Sequence, residues 1–164
     1  MKKPDYYKAV QAAKDILEKN HISAPPIDIQ EIVANEGLAL GVSTFGEDTD
    51  VSGFINLEKK VIIVSAYDSI QRQNFTIAHE LGHWIFHQNE IQKDKNLVIL
   101  YRKNILEEKN YLEQEANCFA ANLLVPASFL ERYADTSDKE LSRIFGVSES
   151  VIAYRKRMCN GQKV

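Results

Sequence analysis

Apolar residues recur at two different spacings along the chain, and the places where one gives way to the other mark its elements. Tyr7, Val10, Ala13 and Leu17 stand at helical intervals behind Pro4, a residue suited to a first turn, and predict an amphipathic helix over residues 4–20. Ala24-Pro25-Pro26 breaks the chain, after which Asp28 caps a short helix carrying Ile29, Ile32 and Val33 that stops at Gly37. Three extended segments follow: Leu38 to Phe45, Val51 to Leu57 and Lys60 to Ser65. Turn-forming residues at Gly46 to Asp50 and at Glu58-Lys59 separate them, which predicts a small, mostly antiparallel sheet. Helical spacing returns over residues 69–87 and again over 108–125, where Pro126 ends it. Residues 88–108 are polar and mixed, with one apolar patch at Leu97 to Tyr101, and read as a loop holding a short strand or helix. Lys139 to Phe145 and Ser148 to Met158 form two short helices around Gly146, spaced as in a helix-turn-helix. The expected fold class is therefore α+β, a small sheet packed on helices. Residues 1–136 form the main domain and residues 137–164 a small helix-turn-helix-like subdomain.

Composition narrows the classes. The chain has 164 residues, 45% hydrophobic and 26% charged, enough to bury one core and unlike a disordered or fibrous sequence. No apolar run approaches the roughly 20 residues of a membrane helix, and the polar start Met1-Lys2-Lys3-Pro4-Asp5 lacks a secretory apolar region, so the expected location is cytoplasmic. Cys118 and Cys159 lie far apart without a C-x-x-C and read as free thiols. The net charge of −3 disfavours a general grip on nucleic acid phosphate. Glu149 also falls where the second helix of the terminal pair would read bases, although Arg155, Lys156 and Arg157 are basic. Direct DNA binding is not expected, and the pair reads as a packing or docking element.

The chemistry concentrates in Phe75 to His87, which contains H-E-x-x-H at His79-Glu80-Leu81-Gly82-His83. On a helix His83 lies one turn beyond His79, about 40° round the axis, with Glu80 about 100° round, so two imidazoles and a carboxylate share one side. Three specified positions arise by chance in roughly one chain in a hundred of this size, so the bare motif does not suffice. The rest of the helix adds weight. Phe75, Ile77, Ala78, Leu81, Trp84, Ile85 and Phe86 fill a broad apolar arc, while Arg72, Thr76, His79, Glu80, His83 and His87 form the remaining stripe. A solvated stripe would hold Lys and Glu, so this one is expected to face a cleft. Zinc takes neutral imidazole, keeps an open position in catalytic sites and lowers the pKa of water there to about 7, while an adjacent Glu can take the proton. His79 and His83 are thus the expected ligands and Glu80 the expected general base.

A third ligand is expected from the second long helix. Leu112, Ala116, Phe119, Ala120, Leu123 and Leu124 mark its buried face, and Glu113 borders that face more closely than Glu115. Glu113 is the preferred ligand and Glu115 the alternative. Asn117, one turn beyond Glu113, is placed to hold an imidazole N–H. Substitution of Glu115 is then expected to leave zinc affinity nearly unchanged. Small Ala116 and Ala120 permit close approach to the histidine helix, as does Gly82, which otherwise costs a mid-helix position about 1 kcal/mol. His87 is a competing ligand by spacing, but three ligands at i, i+4 and i+8 diverge round the axis, which favours a hydrogen-bonded role. Tyr101, Arg102, Tyr111 and His87 are each candidates to polarise a scissile carbonyl.

These segments resemble, in order, those of the ImmA/IrrE family of zinc metallopeptidases. The resemblance is carried by Ile27-Asp28-Ile29, Ser52-Gly53-Phe54-Ile55, Arg72 with Phe75 to His83, and Glu113 to Pro126 as E-x-E-A-N-x-F-A-A-x-L-L-x-P. It implies a thermolysin-like, gluzincin arrangement in which two histidines and a glutamate hold zinc and a sheet edge beside the site binds substrate as an added strand. It also implies a protein substrate, since members cut or inactivate helix-turn-helix transcriptional repressors, often those of phages and mobile elements. A rival is an anti-repressor that holds zinc and acts by contact without proteolysis. Glu80 separates the two, because a structural zinc site needs no base beside its ligands.

Overall fold

The computed structural model describes residues 3–45, 50–93 and 110–161. Its first helix, α1 (Tyr6–Lys19), starts where Asp5 accepts a hydrogen bond from the Lys8 main-chain N–H at 2.9 Å. The buried stripe is Ala9, Ala13, Ile16 and Leu17, whereas Tyr7 is 81% exposed, so the inward face is rotated from the one the aromatic spacing predicts. Two alanines on that face let α1 lie close on the later long helix, where bulky Tyr7 would hold it off. Asp28 caps α2 (Ile29–Asn35) through the N–H groups of Gln30 and Glu31, and Gly37, at φ +76°, turns the chain into the sheet.

The sheet has three strands, β1 (Ala39–Ser43), β2 (Gly53–Asn56) and β3 (Val61–Ser65), in the order β1-β3-β2. β2 and β3 form the expected antiparallel pair, with Ile55 opposite Ile62, but β1 runs parallel to β3, with Leu40 opposite Ile62. The sheet is thus mixed rather than mostly antiparallel. Turn residues in the sequence mark where strands end without saying which strands pair, and residues 44–52 are too many for a tight hairpin, so the chain crosses one strand further before returning. β3 takes the protected middle position, and Ile55, Ile62 and Val64 face the core.

Beyond the sheet run α3 (Ile70–Phe86) and α4 (Gln88–Lys93), then α5 (Asn110–Leu124), α6 (Ala127–Leu130) with a single 3₁₀ turn (Glu131–Tyr133), α7 (Asp138–Phe145) and α8 (Glu149–Gly161). The apolar patch at Leu97 to Tyr101 lies outside the described residues. Gly146, at φ +66°, ends α7 in the left-handed conformation that the helix-turn-helix spacing requires. One cluster joins Ile77 and Leu81 of α3, Phe119 and Leu123 of α5, Leu141 and Phe145 of α7, and Ile152 of α8. The Arg155 Nε–H also donates to the Val125 carbonyl at 2.9 Å, so the terminal helices share the core of the rest. Among the described residues, no helix is long and apolar enough to cross a membrane.

Gly53 sets the separation of sheet and histidine helix. A Cβ there would stand 2.6 Å from Thr76 Cγ2 and 2.7 Å from the Ile63 carbonyl oxygen, closer than packed atoms approach. Gly53→Ala is therefore expected to lower stability by about 1–3 kcal/mol in urea unfolding. An unchanged midpoint would show that β2 and α3 can part without cost.

Candidate metal centre

α3 begins at Ser69, whose hydroxyl accepts from the Arg72 N–H, and its apolar side sends Ile77, Ala78 and Leu81 into the core. The opposite stripe is also withdrawn from solvent: Thr76, Glu80, His83 and His87 are buried, and His79 is partly so. The partner on that side is α5. At Gly82 the two helices come so close that a Cβ would stand 3.1 Å from Phe119 Cδ1 and 3.2 Å from Ala116 Cα. This approach lays the Glu113 and Asn117 side chains directly on the histidines.

His79 Nε2 and His83 Nε2 are 3.0 Å apart, and the Glu113 carboxylate lies 3.1 Å from the first and 3.3 Å from the second. Donors held about 2.0–2.1 Å from a tetrahedral ion stand about 3.3 Å from one another, so this spacing fits a single small cation with little movement. Each histidine's other nitrogen is engaged elsewhere. His79 Nδ1 meets Asn117 Oδ1 at 2.8 Å, and since that oxygen only accepts, a proton sits on Nδ1, which makes Nε2, facing Glu113, the nitrogen offered to a metal. His83 Nδ1 lies 2.9 Å from His87 Nδ1. Two imidazole nitrogens and one carboxylate are a donor set for a divalent metal, and the three residues together can hold one ion.

The electrostatics of the cluster follow from burial opposed by pairing. Burial works to raise the Glu113 pKa, but hydrogen bonds to His79 and His83, and their charge, hold its carboxyl far below the usual carboxylate range. Burial works to lower His79, but Glu113 and the charges of Glu80 and Glu113 outweigh it and raise the pKa. His83 is held down at about 4, chiefly by burial and then by its histidine neighbours, against the pull of Glu113. His87 is also lowered by burial, with Glu115 pulling the other way.

The cluster opens onto a cleft of about 1350 Å³. One wall is the outer strand β2 with Gly53, Phe54 and Asn56, preceded by Ser52, and the far wall brings Ser148, just before α8, and Ser150, Val151 and Tyr154 from α8 together with Tyr6 from α1. Arg72 ties the first wall to α3, its Nε–H and Nη2–H both donating to Ser52 Oγ at 3.0 and 2.8 Å. His79 and Glu80 form part of the floor.

His79, His83 and Glu113 thus come together, with Glu80 beside them and Asn117 behind His79. Glu115 stands apart from the cluster, paired through Oε2 to His87 Nε2 at 2.8 Å. Two of the candidate carbonyl-polarising groups do not line the cleft: His87 lies behind His83, and Tyr111 donates its hydroxyl to Glu90 Oε2 at 2.9 Å. Tyr101 and Arg102 lie outside the described residues. The far wall was not foreseen, because Tyr6 and Tyr154 carry no motif and reach the site only through tertiary packing. Ser148 and Ser150, on either side of Glu149 where a DNA-binding unit would read bases, line this cleft, while Glu149 is exposed outside its lining.

The family model Peptidase_M78, described as the IrrE N-terminal-like domain, matches residues 39–157. No curated protein matches the chain. Among solved structures, a Mycobacterium tuberculosis transcriptional regulator is similar in fold, with a TM-score of 0.65 at 19% identity over 91% of this chain and 46% of that one. The chain spans about half the length of that regulator.

The direction of the His83 shift gives a pH dependence. With a folded pKa of about 4 against 6.5 for the exposed group, the unfolded chain takes up a proton that the metal-free folded protein refuses. Stability from this group is full above pH 6.5 and falls as the pH drops from there toward 4. The raised His79 contributes fully throughout that window, and the lowered Glu113 begins to lose its contribution only below about 4.5. The urea midpoint of metal-free protein is expected to fall between pH 6.5 and 4.5, with a shallower slope in His83→Gln. An identical slope in the variant would place the pH dependence elsewhere.

Proposed function

Because the chain belongs to the Peptidase_M78 family of IrrE N-terminal-like domains, we propose that it is a zinc-dependent endopeptidase whose substrate is a helix-turn-helix transcriptional repressor. The observation that carries this reading is Glu80, a carboxylate on the cleft floor whose charge reaches His79, beside a cluster of two imidazoles and one carboxylate. His79, His83 and Glu113 would hold a zinc ion, which would supply Lewis acidity that makes water a competent nucleophile near neutral pH and polarises a peptide carbonyl. The Glu80 carboxylate takes the proton from the attacking water and delivers it to the leaving amide nitrogen. Glu113, kept ionised by its histidine partners, offsets charge at the centre without competing for that proton.

Substrate enters as extended chain. The main-chain groups on the outer side of β2 have no strand partner among the described residues, and they border the cleft beside Glu80. A peptide added there gains strand hydrogen bonds that do not depend on its side chains, while α8 and Tyr6 on the opposite wall meet its other side. Linkers between folded domains of a repressor expose main chain of this kind. The same cleft-facing position of the α8 start supports docking, rather than DNA reading, as the use of the terminal helix pair.

Glu80→Gln keeps the side chain's size and all three metal donors, so it should retain fold and zinc while cleavage of the repressor encoded beside the gene falls about 10²- to 10⁴-fold. Glu113→Gln should instead lose zinc, with activity partly restored by excess metal. Zinc content by elemental analysis and cleavage by mass spectrometry check both. Wild-type cleavage by the Glu80 variant would overturn Glu80 as the base, whereas a zinc-loaded wild type that binds the repressor without cutting it would leave the binding-only anti-repressor as the better reading.

A further inference from the structure

Behind the histidine pair runs a second line of buried polar contacts that the proposed chemistry does not use. His83 Nδ1 meets His87 Nδ1 at 2.9 Å, and His87 Nε2 meets Glu115 Oε2 at 2.8 Å. The other carboxylate oxygen, Oε1, accepts the main-chain N–H of Asp5 at 2.7 Å, at the residue that caps α1. His83 is 0%, His87 1% and Glu115 7% exposed, so the protonation pattern of this line is set by the side chains themselves rather than by solvent.

With a cation at Glu113 and the two Nε2 atoms, and with His87 neutral, the donors and acceptors allow one arrangement. An ionised Glu115 accepts at both oxygens, which puts the His87 proton on Nε2 and leaves His87 Nδ1 bare. A bare Nδ1 must receive a proton from His83 Nδ1, and His83 Nε2 is then left with its lone pair facing His79 and Glu113. Reversing His87 would aim its Nδ1–H at His83, push the His83 proton onto Nε2 and cap the nitrogen that the metal needs. His87 is not a ligand in this arrangement, because it meets His83 on the side away from the three clustered donor atoms.

We infer that Glu115 and His87 are positioning residues that lock His83 in its Nδ1–H form, so that metal affinity depends on two side chains that never touch the ion. Asn117 does the same for His79 in a single step. The inference rests on the metal-site reading given above, and it reverses the expectation that Glu115 is indifferent to zinc. It also joins the start of α1 to the metal centre through Asp5.

The test uses the full chain with zinc alone, titrated against a competing chelator, and cobalt as a spectroscopic probe. His87→Leu removes the acceptor and should weaken zinc about 10- to 100-fold and alter the cobalt visible absorption. His87→Asn sets an amide oxygen near the former Nδ1 and should recover most of that loss. Glu115→Leu should weaken zinc in the same range. Wild-type affinity in a folded His87→Leu protein would overturn the inference, as would equal losses in the Leu and Asn variants, which would mark a purely structural role. Imidazole nitrogen NMR of the zinc-loaded wild type reads the pattern without any substitution: His87 protonated on Nε2, with its Nδ1 accepting from His83, is expected, and His87 protonated on Nδ1 would overturn it. If the variants weaken zinc but the wild type cleaves nothing, the positioning role stands and the peptidase reading falls. If the wild type takes up no zinc, both fall together.

Discussion

The close contact of α3 and α5 at Gly82 is the constraint on which the site depends. A side chain at that position would press on Phe119 and on the Ala116 backbone, and the helices would have to part. Parted helices would draw Glu113 away from His79 and His83, Asn117 from His79, and Glu115 from His87, since each of these pairs bridges the same two elements. The glycine costs helix propensity and contributes proximity. Small residues on the facing side of α5 complete the fit, so the apolar packing of Ala116 and Phe119 and the polar geometry of the centre are two results of one interhelical distance.

Burial then decides how the polar groups behave. A stripe of histidines and carboxylates withdrawn from water is tolerable only when its members satisfy one another, because each unpaired group would cost about 1–3 kcal/mol. Here they do so in connected lines rather than isolated pairs. Glu113 stays ionised although burial opposes it, and His83 stays neutral near neutral pH, as metal ligands must be, whereas His79, raised by Glu113 and Glu80, holds a proton more tightly and gives it up when an ion binds.

Much of this was legible in the sequence, for reasons specific to particular residues. Ser69, Asp28, Pro126 and Gly146 fix helix limits through local chemistry, so those limits agree with the structure to within a residue or two. Helical periodicity placed Glu113 nearer the buried face than Glu115; the structure buries Glu115 more deeply, against His87, yet brings Glu113 onto the histidines. Three things were hidden. The parallel pairing of β1 with β3 depends on the path of a connection, which strand composition does not encode. The inward face of α1 depends on which neighbour it meets, and alanines proved to be its contact surface instead of Tyr7. The partnership of His87 with Glu115 joins residues 28 positions apart, and helix wheels drawn separately cannot show it.

The cleft is assembled from distant stretches of chain: Tyr6 near the beginning, β2 before the middle, and Ser150 to Tyr154 well past residue 140. Its parts therefore become available at different moments during synthesis. His79, Glu80, His83, Glu113 and the strand edge have all left the ribosome once residue 113 has emerged, but the far wall waits for α8 and for Ile152 to enter the shared core. A half-made chain carries reactive groups without the groove that orients a peptide over them. The groove is therefore completed late, with the entry of the last long helix into the core that the earlier elements have already formed.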